Sequence, residues 1–425
     1  MLQDSAELDQ ELVRALFDIR GELHQAAGGS DYAGDLHADL RAARESGPVH
    51  AAPVGEVLGH SYRTGVLAEH SAPIYSAFDF ATVNTVLRDP DVYSSAVYDS
   101  VSEMFGKNIL QMGGSEHTRY RGLVQHSFAR SMVPWWADNW IEHIVEVLLR
   151  RIEGQGRADL NLDLCALLPL LTITSSFGIE WHQALQLRTY VETMLGAGRP
   201  KSERLAASAA IADMLRPVVV ERRRSPQDDL ITVLTRETIV DENGDRHLLG
   251  DDEILGFARL VLTAGSGTTW RQLAIVLWAL LGHPDQLDAV QRDRSLVRPA
   301  IEEALRWEVT DPTFHRLVTR DTVLGGVPIP AGAVIEICLA AANLDPARWA
   351  DPERFDITRP IRPHLAFATG PHVCLGMHVA RAEMAIALNA VLDRFPRLRW
   401  DPQAPRPALL GLTMRGPAEV PVVFS

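Results

Sequence analysis

The 425-residue sequence predicts a mainly α protein with small β-regions. Apolar residues recur at helical spacing through residues 137–250, where Ile141, Ile144, Val145, Leu148 and Leu149 form one stripe. A second periodic run opens on Asp251-Asp-Glu253 and continues to Leu281, where Gly282-His283-Pro284 stops it. That run is about thirty residues, long enough to cross a whole domain. Between Val323 and Leu339, alternation broken by Gly325-Gly326 and Pro328-Ile-Pro330 reads as short hairpins.

Taken in order, residues 1–50 read as acidic amphipathic helix and loop, ending at Gly47-Pro48, and Pro53 to Pro73 as a small β-region. Val83 to Arg88 is a short helix stopped at Asp89-Pro90. Residues 91–111 are turn-rich and carry Tyr93, Tyr98, Met104 and Phe105. His117 and Arg121, four apart, share one face of a helix, and two cationic donors there suit a pair of carboxylates. Trp135, Trp136 and Trp140 read as packing, and Leu162 to Leu171 as a buried segment. Arg222-Arg-Arg224 reads as a solvated turn, with a new helix after Ser225-Pro226. Glu303 and Arg306, three apart, have the spacing of a local ion pair.

Apolar residues make up 46% and charged residues 23%, ample for a core, with no linker, repeat or low-complexity tract. We expect one domain spanning 1–425. A net charge of −14 argues against nucleic acid as a partner. Cys165, Cys338 and Cys374 follow no zinc or disulfide spacing, which fits a reducing compartment. The acidic N-terminus does not resemble a signal peptide, and no apolar run suits a membrane anchor. The expected setting is cytoplasmic.

Two stretches carry chemistry. Ala264-Gly-Ser-Gly-Thr-Thr269 places two glycines and two threonines inside a long helix, where each glycine costs about 1 kcal/mol. No lysine follows and no strand precedes it, so a phosphate loop is a poor fit. The second stretch is Phe367-Ala-Thr-Gly-Pro-His-Val-Cys-Leu-Gly376, just before an amphipathic helix carrying Val379, Met384, Ala387, Leu388, Val391 and Leu392. A cysteine at a helix N-terminus favours the thiolate, and Gly376 leaves room for something bulky.

This second stretch resembles the haem-binding loop of cytochromes P450, Phe-Gly-x-Gly-x-His-x-Cys-x-Gly; Phe367, Gly370, His372, Cys374 and Gly376 match, and Ala368 replaces the first glycine. The resemblance extends along the chain in order: the His117/Arg121 segment, the glycine–threonine helix, Glu303-x-x-Arg306, the stretch Ala342 to Asp356, and the cysteine loop. It implies a mostly helical P450 fold with small β-sheets around haem b, with Cys374 as the axial thiolate. His117, Arg121 and Arg316 would hold the propionates, and Arg354 would join the Glu303–Arg306 pair. Ala264 and Thr268 would face dioxygen, the Thr268 hydroxyl serving proton delivery. Leu344 stands where arginine or histidine is common in the family.

The implied reaction is monooxygenation of a small apolar substrate by O2, with two electrons from a ferredoxin and its NAD(P)H-dependent reductase. His372, His378 and Arg381 are candidate docking residues on the cysteine side. The pocket residues implied are Tyr93, Tyr98, Phe105, Leu260, Phe314 and Met414, with Thr313 as a further wall residue. Gly267 departs from the family, which usually carries an acid before the threonine. Ordered water in the space left by glycine, or a polar group on the substrate, could replace it. Gly267 also keeps open a peroxide-driven peroxygenase or a desaturating or C–C bond-forming oxidase; a haem-bound ligand sensor or carrier without turnover is a rival of another class.

Overall fold

The computed structural model describes residues 9–20, 32–60, 71–196, 198–240 and 245–424. Helices dominate it, organised about the central helix Asp251–Gly282. Asp251, Asp252 and Glu253 sit in its first turn, at the positive end of the helix dipole, and the Glu253 carboxylate accepts the Gly250 N–H at 2.8 Å. Pro284 ends the run by opening the next helix, Pro284–Arg292. Along its middle the central helix lies against Leu167–Ser176, every residue of which is buried. Gly265 permits that approach, because a Cβ there would stand 3.0 Å from Ile173.

The β-structure is small, as expected. Five strands pair in the order Val49–His50, Ile74–Ala77, Val334–Cys338, Thr313–Val318, Tyr93–Ser94, all antiparallel except the Ile74–Ala77/Val334–Cys338 pair. Gly325 and Gly326, both at positive φ, turn the hairpin Thr322–Leu324/Val327–Ile329. The region from Pro53 to Pro73 differs from expectation. Val54–Val57 is a single helical turn, the strands lie on either side of the region, and 61–70 fall outside the described residues. Residues 137–250 include a hairpin, Thr238–Val240/Arg246–Leu248, and the strand Arg157–Asp159, which completes a sheet with Pro421–Val423. Both segments are too short to register against a helical period.

Two of the three arginines read as solvated serve as ties. Arg222 pairs with Asp229, which caps the helix Leu230–Arg236, and Arg223 reaches Asp251 at 2.8 Å. Leu344 is buried in an apolar cluster with Val54 and Phe78. The main core runs from Val13 to Val422. No single helix among the described residues is long and apolar enough to cross a membrane.

Candidate active site

The cysteine loop is fixed by its own backbone. The Cys374 N–H donates to Phe367 O at 2.9 Å and the Val373 N–H to Gly370 O at 3.1 Å. Gly370 sits at φ +77°, and a Cβ on it would fall 2.3 Å from Leu87 O, so no other residue fits. Ala368, at φ +56°, occupies a left-handed position that glycine would take without strain. Gly376 caps the helix Met377–Arg394, and no atom would meet a Cβ there within 4 Å.

Beneath the loop, Arg306 grips Glu303 with both Nε and Nη2, at 2.8 and 2.7 Å, and donates Nη1 to Asn343 O and Pro352 O. The arginine that joins this pair is Arg359, Nε to Glu303 Oε1 at 3.1 Å, and not Arg354. The Arg354 side chain points outward and contributes only its carbonyl, to Arg306 and Arg359. Arg381, expected at a docking surface, is held by Glu302 at 2.6 and 2.9 Å and lies over the Phe367 ring. Its charge is engaged within the molecule.

Between this loop and the central helix lies a cavity of about 320 Å³. Ala264 and Thr268 line it from the central helix, opposite Phe367, Cys374 and Gly376. The Cys374 side chain is exposed, and that exposure is toward the cavity. Its surroundings otherwise bury it and push its thiol up, against the pull of the Gly376 N–H and Arg121. Burial thus outweighs the helix-terminal effect read from the sequence. A thiolate here calls for a bound cation, and a metal ion provides one.

Arg121 and Arg316 form the cationic margin of the cavity, with His372 beside them. Arg121 Nη2 donates to Val373 O at 2.6 Å, and Arg316 Nη1 to His315 O at 2.7 Å. The rings of His117 and His372 lie 4.1 Å apart. Burial, then the charges of His117, Arg316 and Arg121, push His372 down to about 3. His117 is 3% exposed and its Nε2 meets no hydrogen-bond partner, so this buried polar atom needs an acceptor. Two arginines, an orphaned imidazole nitrogen, a cavity-facing thiol and the open side of Gly376 fit an iron porphyrin with two carboxylates.

Of the pocket residues, Tyr98, Leu260 and Phe314 line the cavity. The Tyr98 hydroxyl accepts the His315 N–H at 3.1 Å. Tyr93 does not reach it; it is buried in the edge strand opposite Val318. Phe105 is also displaced from the wall, packed into the core with its carbonyl against Gly256. Thr313 lies in the strand beside the cavity without lining it. Met414 stands behind the wall, its Cε 3.1 Å from where a Cβ on Gly267 would be. The space read as room for water is therefore taken by a thioether methyl.

The central helix stays α-helical through the glycines, and Thr268 Oγ1 donates back to Ala264 O at 3.2 Å. Among the wall residues that escaped sequence reasoning are Trp136, Asp311 and Glu383. Trp136 also packs with Trp135 and Trp140, which is the role the triplet advertised. Glu383 carried a signal, since it falls midway between Val379 and Ala387 on the apolar stripe.

A family model described as Cytochrome P450 matches residues 170–415. The chain is 37% identical to Cytochrome P450 107B1 of Saccharopolyspora erythraea, over 69% of this chain and 71% of that one. It is 32% identical to Cytochrome P450 monooxygenase PikC of Streptomyces venezuelae, over 89% and 88% of the two chains. The crystal structure of CYP109E1 from Bacillus megaterium in complex with testosterone superposes with a TM-score of 0.79 at 25% identity, covering 92% of this chain and all of that one. The thiol-lined cavity and these relatives agree: the chain belongs to the cytochrome P450 family of monooxygenases, oxidoreductases that use haem b with a cysteine thiolate as axial ligand.

Proposed function

We propose that this chain is a monooxygenase for a small, largely apolar substrate, with Cys374 as the iron ligand. The observation that carries the proposal is the Cys374 side chain exposed to a cavity across which Ala264 and Thr268 stand. Haem b bound there supplies the reductive use of O2: one oxygen atom enters a substrate C–H bond and the other leaves as water, with two electrons and two protons consumed. Arg121, Arg316 and the orphaned Nε2 of His117 bind the propionates, and His372 packs over His117 to orient it. Phe367 and Gly376 seat the ring. Leu260, Phe314 and Tyr98 give the substrate side an apolar wall with one phenol. The Thr268 hydroxyl swings between Ala264 O, where it rests, and the oxygen side of the cavity, carrying a proton across one rotamer step.

Electrons come from a ferredoxin and its NAD(P)H-dependent reductase, the donor pair that membership of the family implies. The three free cysteines, widely spaced, support a cytoplasmic setting, and a core continuous from Val13 to Val422 supports one domain. The test is the carbon monoxide spectrum of the reduced protein, followed by turnover with a surrogate ferredoxin and reductase. We expect a thiolate-type Soret band that Cys374→Ser abolishes, and substrate-stimulated NAD(P)H consumption. Absence of that band from the wild-type protein would sink the reading. Product with peroxide alone, exceeding that with electron partners, would move it to a peroxygenase.

A further inference from the structure

Asp311 is the one aspartate on the cavity wall among the described residues. It is enclosed by protein, and its residual exposure is to the cavity. The segment carrying it is clamped from two sides. Gln272 of the central helix donates Nε2 to Glu308 O at 3.1 Å and accepts the Thr310 N–H at 3.1 Å. Arg415 holds the Glu308 carboxylate at 2.8 Å, and its own N–H donates to Thr310 O at 2.7 Å. Asp311 is thereby held in place on a rigid mount, as a recognition group needs to be.

Its carboxylate is underused. Among the described residues, the hydrogen bond it receives is from the Met414 N–H. A carboxylate accepts about four hydrogen bonds. Burial pushes the Asp311 carboxyl up, and the positive charge of Arg271 on the central helix and the Met414 N–H pull against it. A desolvated carboxylate facing apolar walls is costly unless something pairs with it. The other ionisable groups on the cavity have partners or proposed tasks: Arg121, Arg316 and His372 form the propionate margin, and Glu383 lies beside Thr172. Asp311 has neither.

We propose that Asp311 is a specificity-determining residue that anchors a protonated nitrogen on an otherwise apolar substrate. This rests on the monooxygenase reading and narrows its substrate class to amine-bearing compounds. A charge-assisted bond from an ammonium satisfies the open carboxylate oxygens and fixes the substrate's orientation against Leu260 and Phe314.

The test is calorimetric titration of the haem-loaded protein with three matched probes: a bulky hydrophobic tertiary ammonium, its neutral carbon isostere, and the corresponding alcohol. The tertiary nitrogen is too hindered to ligate iron, and a blue-shifted rather than red-shifted Soret band checks that it does not. We expect the ammonium to bind about 10- to 100-fold more tightly than the isostere, the range a charge-assisted bond supports. Asp311→Asn should abolish that preference while keeping the isostere affinity and the thiolate-type carbon monoxide band. Equal binding of ammonium and isostere, tightest binding of the alcohol, or a preference that survives in the Asn variant overturns the proposal. So does an Asn variant whose only defect is less product per electron, which would make Asp311 a proton donor. Loss of the carbon monoxide band in wild type is a separate result, and strikes the monooxygenase reading instead.

Discussion

Gly370→Ala tests whether the cysteine loop is held by steric necessity. The substitution places a methyl 2.3 Å from Leu87 O and demands φ +77° of an L-residue. The left-handed backbone costs about 1–2 kcal/mol. Relieving the overlap requires moving the loop or the Leu87 carbonyl by nearly an ångström, an overpacking cost of about 1–3 kcal/mol. The sum, about 2–5 kcal/mol, is a large part of an ordinary domain's stability. For 425 residues it lowers Tm by roughly 2–5 °C. Because Gly370 O accepts the Val373 N–H, the displacement reaches Cys374, so haem retention should fall as well. The control is Ala368→Gly. Ala368 already bears the left-handed strain at φ +56°, and its release offsets the backbone entropy glycine adds, so that variant should be neutral or up to about 1 kcal/mol more stable. Differential scanning calorimetry of both variants, with the haem-to-protein absorbance ratio, reads the effect. A Gly370→Ala protein of wild-type Tm and full haem content would refute the argument, as would two shifts of the same sign and size.

Glu303→Gln leaves Arg306, 3% exposed, without its bidentate carboxylate; we expect a loss of about 3–5 kcal/mol by urea denaturation, and a loss below 1 kcal/mol would count against the pair. Burial raises the Glu383 carboxyl to about 8. The folded state therefore holds a proton that the unfolded state releases near 4.5, and stability contributed by this group falls as pH rises from there through about 8. Glu383→Gln should flatten that decline, so its Tm gains on wild type at pH 8 and not at pH 4; parallel pH profiles would refute the shift. Gly267→Glu alone should fail to raise product formed per electron, because Met414 occupies the space, whereas adding Met414→Ala should let the new carboxylate in. A gain from the single variant would show that Met414 is no obstacle.

The elements legible in the sequence are those whose pattern is long or whose chemistry is local. The central helix, its stop at Pro284, the Gly325-Gly326 hairpin and the cysteine loop each declare themselves within their own residues. What escaped depends on partners far along the chain. Arg354 and Arg359 both follow the Glu303–Arg306 helix within a short span, and only the path of the backbone decides which guanidinium turns inward. Tyr93 and Tyr98 have equal claims as aromatics in one turn-rich stretch; pairing of the first with Val318 takes it out of reach of the cavity.

Gly267 shows how a single-site reading fails. Read alone, a glycine where an acid is usual means empty space. The C-terminal turn refills that space with Met414, whose N–H in turn holds the carboxylate of Asp311. One residue thus ties together the missing acid on the central helix and the carboxylate of Asp311 on the cavity wall. Met414 itself sits at φ +48°, a conformation a methionine rarely adopts without being constrained, and its neighbour Arg415 is locked to Glu308 and Thr310. The C-terminal turn is therefore a positioning element of the cavity, and substitutions at Met414 should disturb ligand binding through Asp311 and the central helix together.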